Sequence, residues 1–234
     1  MFTNKIITLP IVLASIIAIT AIASTLFLTQ QNPAALVGTY AEKTTFAHPL
    51  YAANYADNSI LLGASHNVFV GKVIAQAGNK ELAGSPTTQF SVDVIANMKG
   101  DIKDTVVVNQ LGGYRDGTLY LMDEESKLLE IGSTYLFATR YNAEDDTYTL
   151  NSHPNASKLL STDAGLSKKD LKDLSDQDEK VKTLEAAYPD EKLLDADIAH
   201  GNTRNEFKSL PEEKKTEARS RADAAKASLT AQHQ

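Results

Sequence analysis

The sequence predicts a mainly β protein. It reads as a small five-stranded antiparallel barrel set between an N-terminal transmembrane helix and a charged helical tail. Three observations carry this reading. Residues 6–28 hold no charge. Five short β-branched and aromatic runs lie between residues 68 and 151, separated by turn residues. From Ser161 the composition shifts to Lys, Asp, Glu and Ala.

The N-terminal run, IITLPIVLASIIAITAIASTLFL, follows Lys5. As a helix it would span roughly 34 Å, enough for a hydrocarbon core of about 30 Å. Lys5 and the terminal amine are the only positive charges near it, which places the N-terminus in the cytoplasm and residues 29–234 outside. The alternative is a signal peptide cleaved near Ala23, after the small residues Ala21-Ile22-Ala23; against it, Leu26, Phe27 and Leu28 prolong the apolar run. Residues 29–50, polar and carrying Pro33 and Gly38, read as a linker.

Residues 51–160 form the predicted barrel domain. YAANYADNSILLGA, at 51–64, fits a short helix. VFVGKVIA, at 68–75, is the first strand, with apolar groups on both faces and Gly71 as its bend. A turn-rich loop with Gly78, Gly84 and Pro86 leads to QFSVDVIANMKG at 89–100. There Phe90, Val92, Val94, Ala96 and Met98 alternate with Ser91, Asp93, Asn97 and Lys99, as in a half-buried strand. TVVVNQL (105–111) is the third strand and residues 114–130 a long loop. STYLFATRY (133–141) and TYTLN (147–151) are the fourth and fifth strands, joined through NAEDD. A sandwich of five short strands would leave edges that closure removes, so a barrel is preferred.

The tail, 161–234, opens with an S-x-x-D capping box, Ser167 and Asp170, ahead of a helix at 168–187 that Pro189 ends. Ser209 and Glu212 form a second such pattern. The helix that follows has almost no apolar stripe and predicts a frayed helix or a disordered tail.

Composition excludes several chemistries. The chain has no cysteine, so thiolate nucleophiles, disulfides and zinc–thiolate sites are absent. Residues 30–162 carry nine basic and fourteen acidic side chains, and the tail thirteen and sixteen; neither is a cationic surface for nucleic acid. The five histidines, His48, His66, His153, His200 and His233, stand at no metal-ligand spacing, and no cofactor is predicted. Ser65 and His66 are neighbours, but no nucleophile elbow surrounds them. Asp176-x-Asp178 and Asp195-x-Asp197 open like calcium loops and lack the glycine and the closing glutamate. Asn155-Ala156-Ser157 is a formal glycosylation sequon. The loop LGGYRDG (111–117) is the candidate binding site, with Tyr114 and Arg115 offered on the barrel rim.

The succession Val68-Phe69-x-Gly71-Lys72-Val73, then Lys99-Gly100, then Gly132-x-x-Tyr135-Leu136-Phe137 resembles the netrin-like or TIMP-like branch of the OB fold, over roughly residues 50–155. The resemblance implies an OB-like barrel and, as one alternative, a protease inhibitor or regulator. The chain departs from the inhibitors of that family in lacking the N-terminal cysteine that chelates the target's zinc. The function expected is a non-enzymatic binding or interaction module of the cell envelope, anchored in the membrane through residues 6–28, with a protein or envelope partner. An unrecognised hydrolase is the remaining alternative.

Overall fold

A computed structural model describes residues 43–201 and 204–233. The predicted membrane helix lies outside the described residues, and no helix among them is long and apolar enough to cross a membrane. The fold is mainly β with mixed sheets, and helices follow it to the C-terminus.

Nine strands form among the described residues, where five are expected: β1 Lys43–Phe46, β2 Asn67–Leu82, β3 Ser85–Lys99, β4 Thr105–Leu111, β5 Gly113–Arg115, β6 Thr118–Leu121, β7 Thr134–Asn142, β8 Thr147–Leu150 and β9 Ser157–Ser161. The larger sheet runs β2-β3-β4-β8-β7-β9, and β2 also pairs with β7. The pairings β2–β3, β3–β4, β4–β8, β8–β7 and β7–β2 therefore close into a ring. All but one are antiparallel. β8 pairs parallel with β4, through Val108↔Tyr148 and Asn109↔Thr149. This corrects the all-antiparallel expectation: three strands separate β4 from β8, and β8 enters the ring from β7 rather than from a β4 hairpin.

β2 bends through several register shifts against β3. At Gly71 the two strands come so close that a Cβ would lie 2.5 Å from Val92 Cγ1 and 3.2 Å from Phe69 Cε2. Phe69 packs on Phe137 at 5.2 Å and on the half-buried Tyr148 at 6.4 Å, and Phe69, Phe137, Val73, Val92 and Val108 are buried together in the core. The opposite face of β2 is also apolar. Val70, with Leu136 of β7, faces a groove whose far wall is helical, so both faces of the strand are covered.

That wall is the tail. After helix α1, Asn58–Ala64, come α2 Lys168–Gln177, α3 Glu179–Ala187, α4 Asp195–Ala199, α5 Glu206–Ser209 and α6 Glu212–Gln232. The Ser167–Asp170 capping box is formed. The single helix expected at 168–187 is broken at Asp178, which closes α2 and whose carboxylate accepts from Lys180 N and Val181 N at the head of α3. Of the frayed helix and the disordered tail expected here, a helix forms. α6 is a 21-residue helix that buries Ala218, Ala222 and Ala225, small side chains that allow a close approach to its neighbours. Its cap differs too: Pro211 precedes it, and the Ser209 hydroxyl donates instead to Glu206 O at 2.9 Å.

The tail is fastened to the barrel by buried polar groups. Lys99 Nζ lies 2.6 Å from Glu191 Oε2, with side chains 4% and 0% exposed. The same ammonium donates to Leu62 O of α1 at 2.7 Å, and Glu191 Oε1 accepts from Phe207 N at 2.7 Å. Lys192 N donates to Ser59 O at 2.9 Å. Gly63 fits directly beneath, where a Cβ would stand 1.7 Å from Lys192 O.

Two further segments differ from the sequence reading. Residues 43–46 of the expected linker are β1, pairing parallel with β6 in a second sheet ordered β1-β6-β5. The loop expected at 114–130 holds the β5–β6 hairpin, turned by Asp116-Gly117 with φ of 50° and 74°. This is the two-residue geometry Asp-Gly prefers.

Candidate functional site

β2 and β3 extend beyond the barrel as a two-stranded arm, its tip at Ala83-Gly84 with φ of 49° and 77°. Lys80 and Glu81, adjacent near the tip, point to opposite sides. Lys80 Nζ pairs with Asp145 in the β7–β8 turn. Glu81 Oε1 accepts from Arg115 Nη1 at 2.9 Å, and the same nitrogen donates to Gly84 O at 3.2 Å. The Arg115 guanidinium lies over the Tyr120 ring, 4.6 Å from its centroid. The arm is thus braced by the turn on one side and the β5–β6 hairpin on the other.

The two predicted site residues are both in β5. Arg115 is a brace and not a free arm; its hydrogen bonds to Tyr120 and Glu81 hold its pKa above the ordinary guanidinium value. Tyr114 pairs with Leu119 across the hairpin and is half-buried. The glycines before them are needed for backbone reasons. Gly112 and Gly113 take φ of 111° and 148°, and Gly112 N donates to Pro86 O at 2.8 Å, so the hairpin leaves β4 against the base of the arm.

Below the brace runs a polar ladder that sequence reasoning missed. Gln89 Nε2 donates to Asn109 Oδ1 at 3.0 Å. Asn109 Nδ2 donates to Thr147 Oγ1 at 2.7 Å and to Thr149 Oγ1 at 3.2 Å. Thr147 Oγ1 donates to Asp145 Oδ1 at 2.6 Å, and Asp145 meets Lys80. Six side chains from β2, β3, β4, β8 and the β7–β8 turn therefore form one network of bonds. Asn109 is fully buried within it. The signal was the polar residue inside TVVVNQL. No family model matches this chain. No curated protein matches it either.

The histidine sites are engaged locally. Ser65, His66 and Glu206 line one cavity of about 560 Å³. Within it the Ser65 hydroxyl donates back to Leu61 O at 2.8 Å, and His66 Nδ1 accepts from Tyr141 N at 3.1 Å. Partial burial, with Arg140 and Lys99 nearby, pushes the His66 pKa down. His153 Nδ1 caps its own turn by accepting from Asn155 N at 3.0 Å; burial and then Lys180 lower its pKa. It lines a cavity of about 270 Å³ with Asp123 and Ser126, whose side chains bond each other at 2.7 Å. Asp176, Asp178, Asp195 and Asp197 lie on or between short helices, and no group of three His, Asp or Glu side chains among the described residues is placed to hold a metal. Asn155 of the sequon donates its side-chain amide to Tyr55 O at 3.3 Å.

Proposed function

We propose that this chain is a non-enzymatic binding module of the cell envelope, held at the membrane through residues 6–28 with the barrel and helices outside, and that its barrel is of the OB type. The ring order β2-β3-β4-β8-β7, with its one parallel pair, supports the OB reading. OB folds bind ligands across the outer face of their central strands and the loops beside it. In this chain those loops are the β2–β3 arm and the β7–β8 turn, which Lys80 and Asp145 join. The observation that carries the function is this bracing: it fixes a polar rim before any partner arrives, so little ordering entropy opposes binding.

The test is capture in the native membrane. The anchored chain is crosslinked in intact cells beside a variant whose arm, residues 78–89, is shortened to a two-residue turn. Partners should be captured by the parent and lost from the shortened variant, while both keep the same circular dichroism. An unchanged partner set would refute the rim. External protease should digest the domain on intact cells; its protection would refute the topology.

A second reading, a protease inhibitor or regulator, has one observation in its favour. Beside the linker, His48 takes a φ of 46° and Leu50 stands 99% exposed, so Leu50 projects from the surface as the tip of an inhibitory wedge would.

A further inference from the structure

We infer that the cleft between β9, the turn at Pro154–Ala156 and the start of α3 binds a small oxyanion, the phosphate or carboxylate group of a ligand, on Lys180 with Lys158 beside it. The cleft encloses about 400 Å³ and shares no residue with the rim; the inference does not depend on the anchor or the binding face proposed above.

Lys180 is half-buried, and its ammonium meets a neutral partner, Asn58 Oδ1, at 2.7 Å. No carboxylate among the described residues forms an ion pair with it. Lys158 lines the same cleft and pairs with Asp178 at 2.7 Å. Burial, and then the charge of Lys158, push the Lys180 pKa down, so the fold holds this cation where the loss of water and its neighbour both disfavour it. An anion between the two amines would relieve both effects.

Two carboxylates stand against an anion here, Asp178 and Glu179. Asp178 is already committed to Lys158 and to two α3 amides, so the helix terminus is capped and lends nothing to the site. Glu179, the remaining carboxylate of the cleft, is exposed. The half-buried Ser157 hydroxyl forms no bond with the described residues and is available as a donor. Two ammonium groups and a hydroxyl suit either a tetrahedral or a planar oxyanion, because lysine binds as a point charge without a fixed fork.

The experiment uses the full chain in a non-ionic detergent, titrated with inorganic phosphate and with acetate at constant ionic strength. Binding should saturate for at least one of them. Lys180→Gln, which keeps an amide donor toward Asn58, should weaken it at least tenfold. Lys172→Gln, an exposed lysine paired with Asp176 on α2, should leave it unchanged. In parallel, whichever anion saturates should slow reductive methylation of Lys180 in the unmutated chain, a readout that needs no variant to fold. Flotation with vesicles of phosphatidylcholine, with and without phosphatidate, separates the sources: binding to phosphatidate alone assigns a lipid headgroup, and binding to free phosphate assigns a soluble ligand. Saturation by none of the probes overturns the site. So does equal weakening by Lys172→Gln, or Lys180 methylation that the saturating anion does not slow.

Discussion

Lys99 is buried with its ammonium between two acceptors, Glu191 Oε2 and Leu62 O. Burial lowers its pKa, and the charge of Glu191 works in the opposite sense. Breaking such a pair from one side strands the other charge, at roughly 3–5 kcal/mol. Lys99→Met should therefore destabilise the fold by about that much. The double variant Lys99→Met/Glu191→Gln, which leaves no buried charge and keeps an acceptor for Phe207 N, should recover at least half of it; denaturant melts of the three proteins check this. Residue by residue, the sequence was an uneven guide. The alternation in QFSVDVIANMKG correctly marks Phe90, Val92, Val94 and Met98 as buried. It also assigns Lys99 to the polar face, and period two cannot see that a segment far along the chain would cover that end of the strand. Gly71 was legible as a bend because only a missing side chain fits between Val92 and Phe69.

Among the elements, α6 departs furthest from its own sequence. Its buried face is three alanines, which give little apolar area to a hydropathy pattern yet allow close helix contact. Alone, such a helix is marginal in water; in the fold it is held by packing. Ala222→Glu, which puts a carboxylate into that contact, should cost more than about 2 kcal/mol. It should also abolish hydrogen-exchange protection across 212–232 while β3 and β7 stay protected. Loss of protection throughout would mean that barrel and tail open together. The β5–β6 hairpin was missed for the opposite reason. Its Asp116-Gly117 signal is strong, but strands of three and four residues are too short for any periodicity to register. β1 and β9 escaped notice likewise. Each is a short segment that becomes a strand because a neighbour offers an open edge. The candidate site was half legible: LGGYRDG marks Tyr114 and Arg115, while the partners of Arg115, Glu81 and Tyr120, and the ladder through Asn109 arise from pairings between distant strands.

For the whole molecule, titration pulls in two directions. His66 and His153 are both pushed below the ordinary imidazole value. The unfolded chain then binds more protons, so the stability they contribute is complete above about pH 6.5 and is lost as the pH falls through that range. Glu185, at the groove under α6, is pushed up by burial, against the charge of Arg221. Its sign is the reverse: folding is favoured while it is protonated, and that contribution fades as the pH rises past the ordinary carboxyl range. The melting temperature should therefore fall between about pH 7.5 and pH 5.5. Glu185→Gln should raise it at pH 7, with the gain gone by about pH 4. A thermal melt series on both proteins checks both signs.

The separation of 92 positions between Lys99 and Glu191 also bears on a chain made from one end. When Lys99 emerges, its acid does not yet exist, and an unpaired ammonium keeps water around itself. The mouth of the barrel near Leu62 must therefore stay wet while β4 through β9 are still being made. Burying that end with its charge paired requires Glu191, so it waits on the chain's final quarter. Any factor that escorts this protein during synthesis or export has a defined feature to grip: a barrel with one end still open.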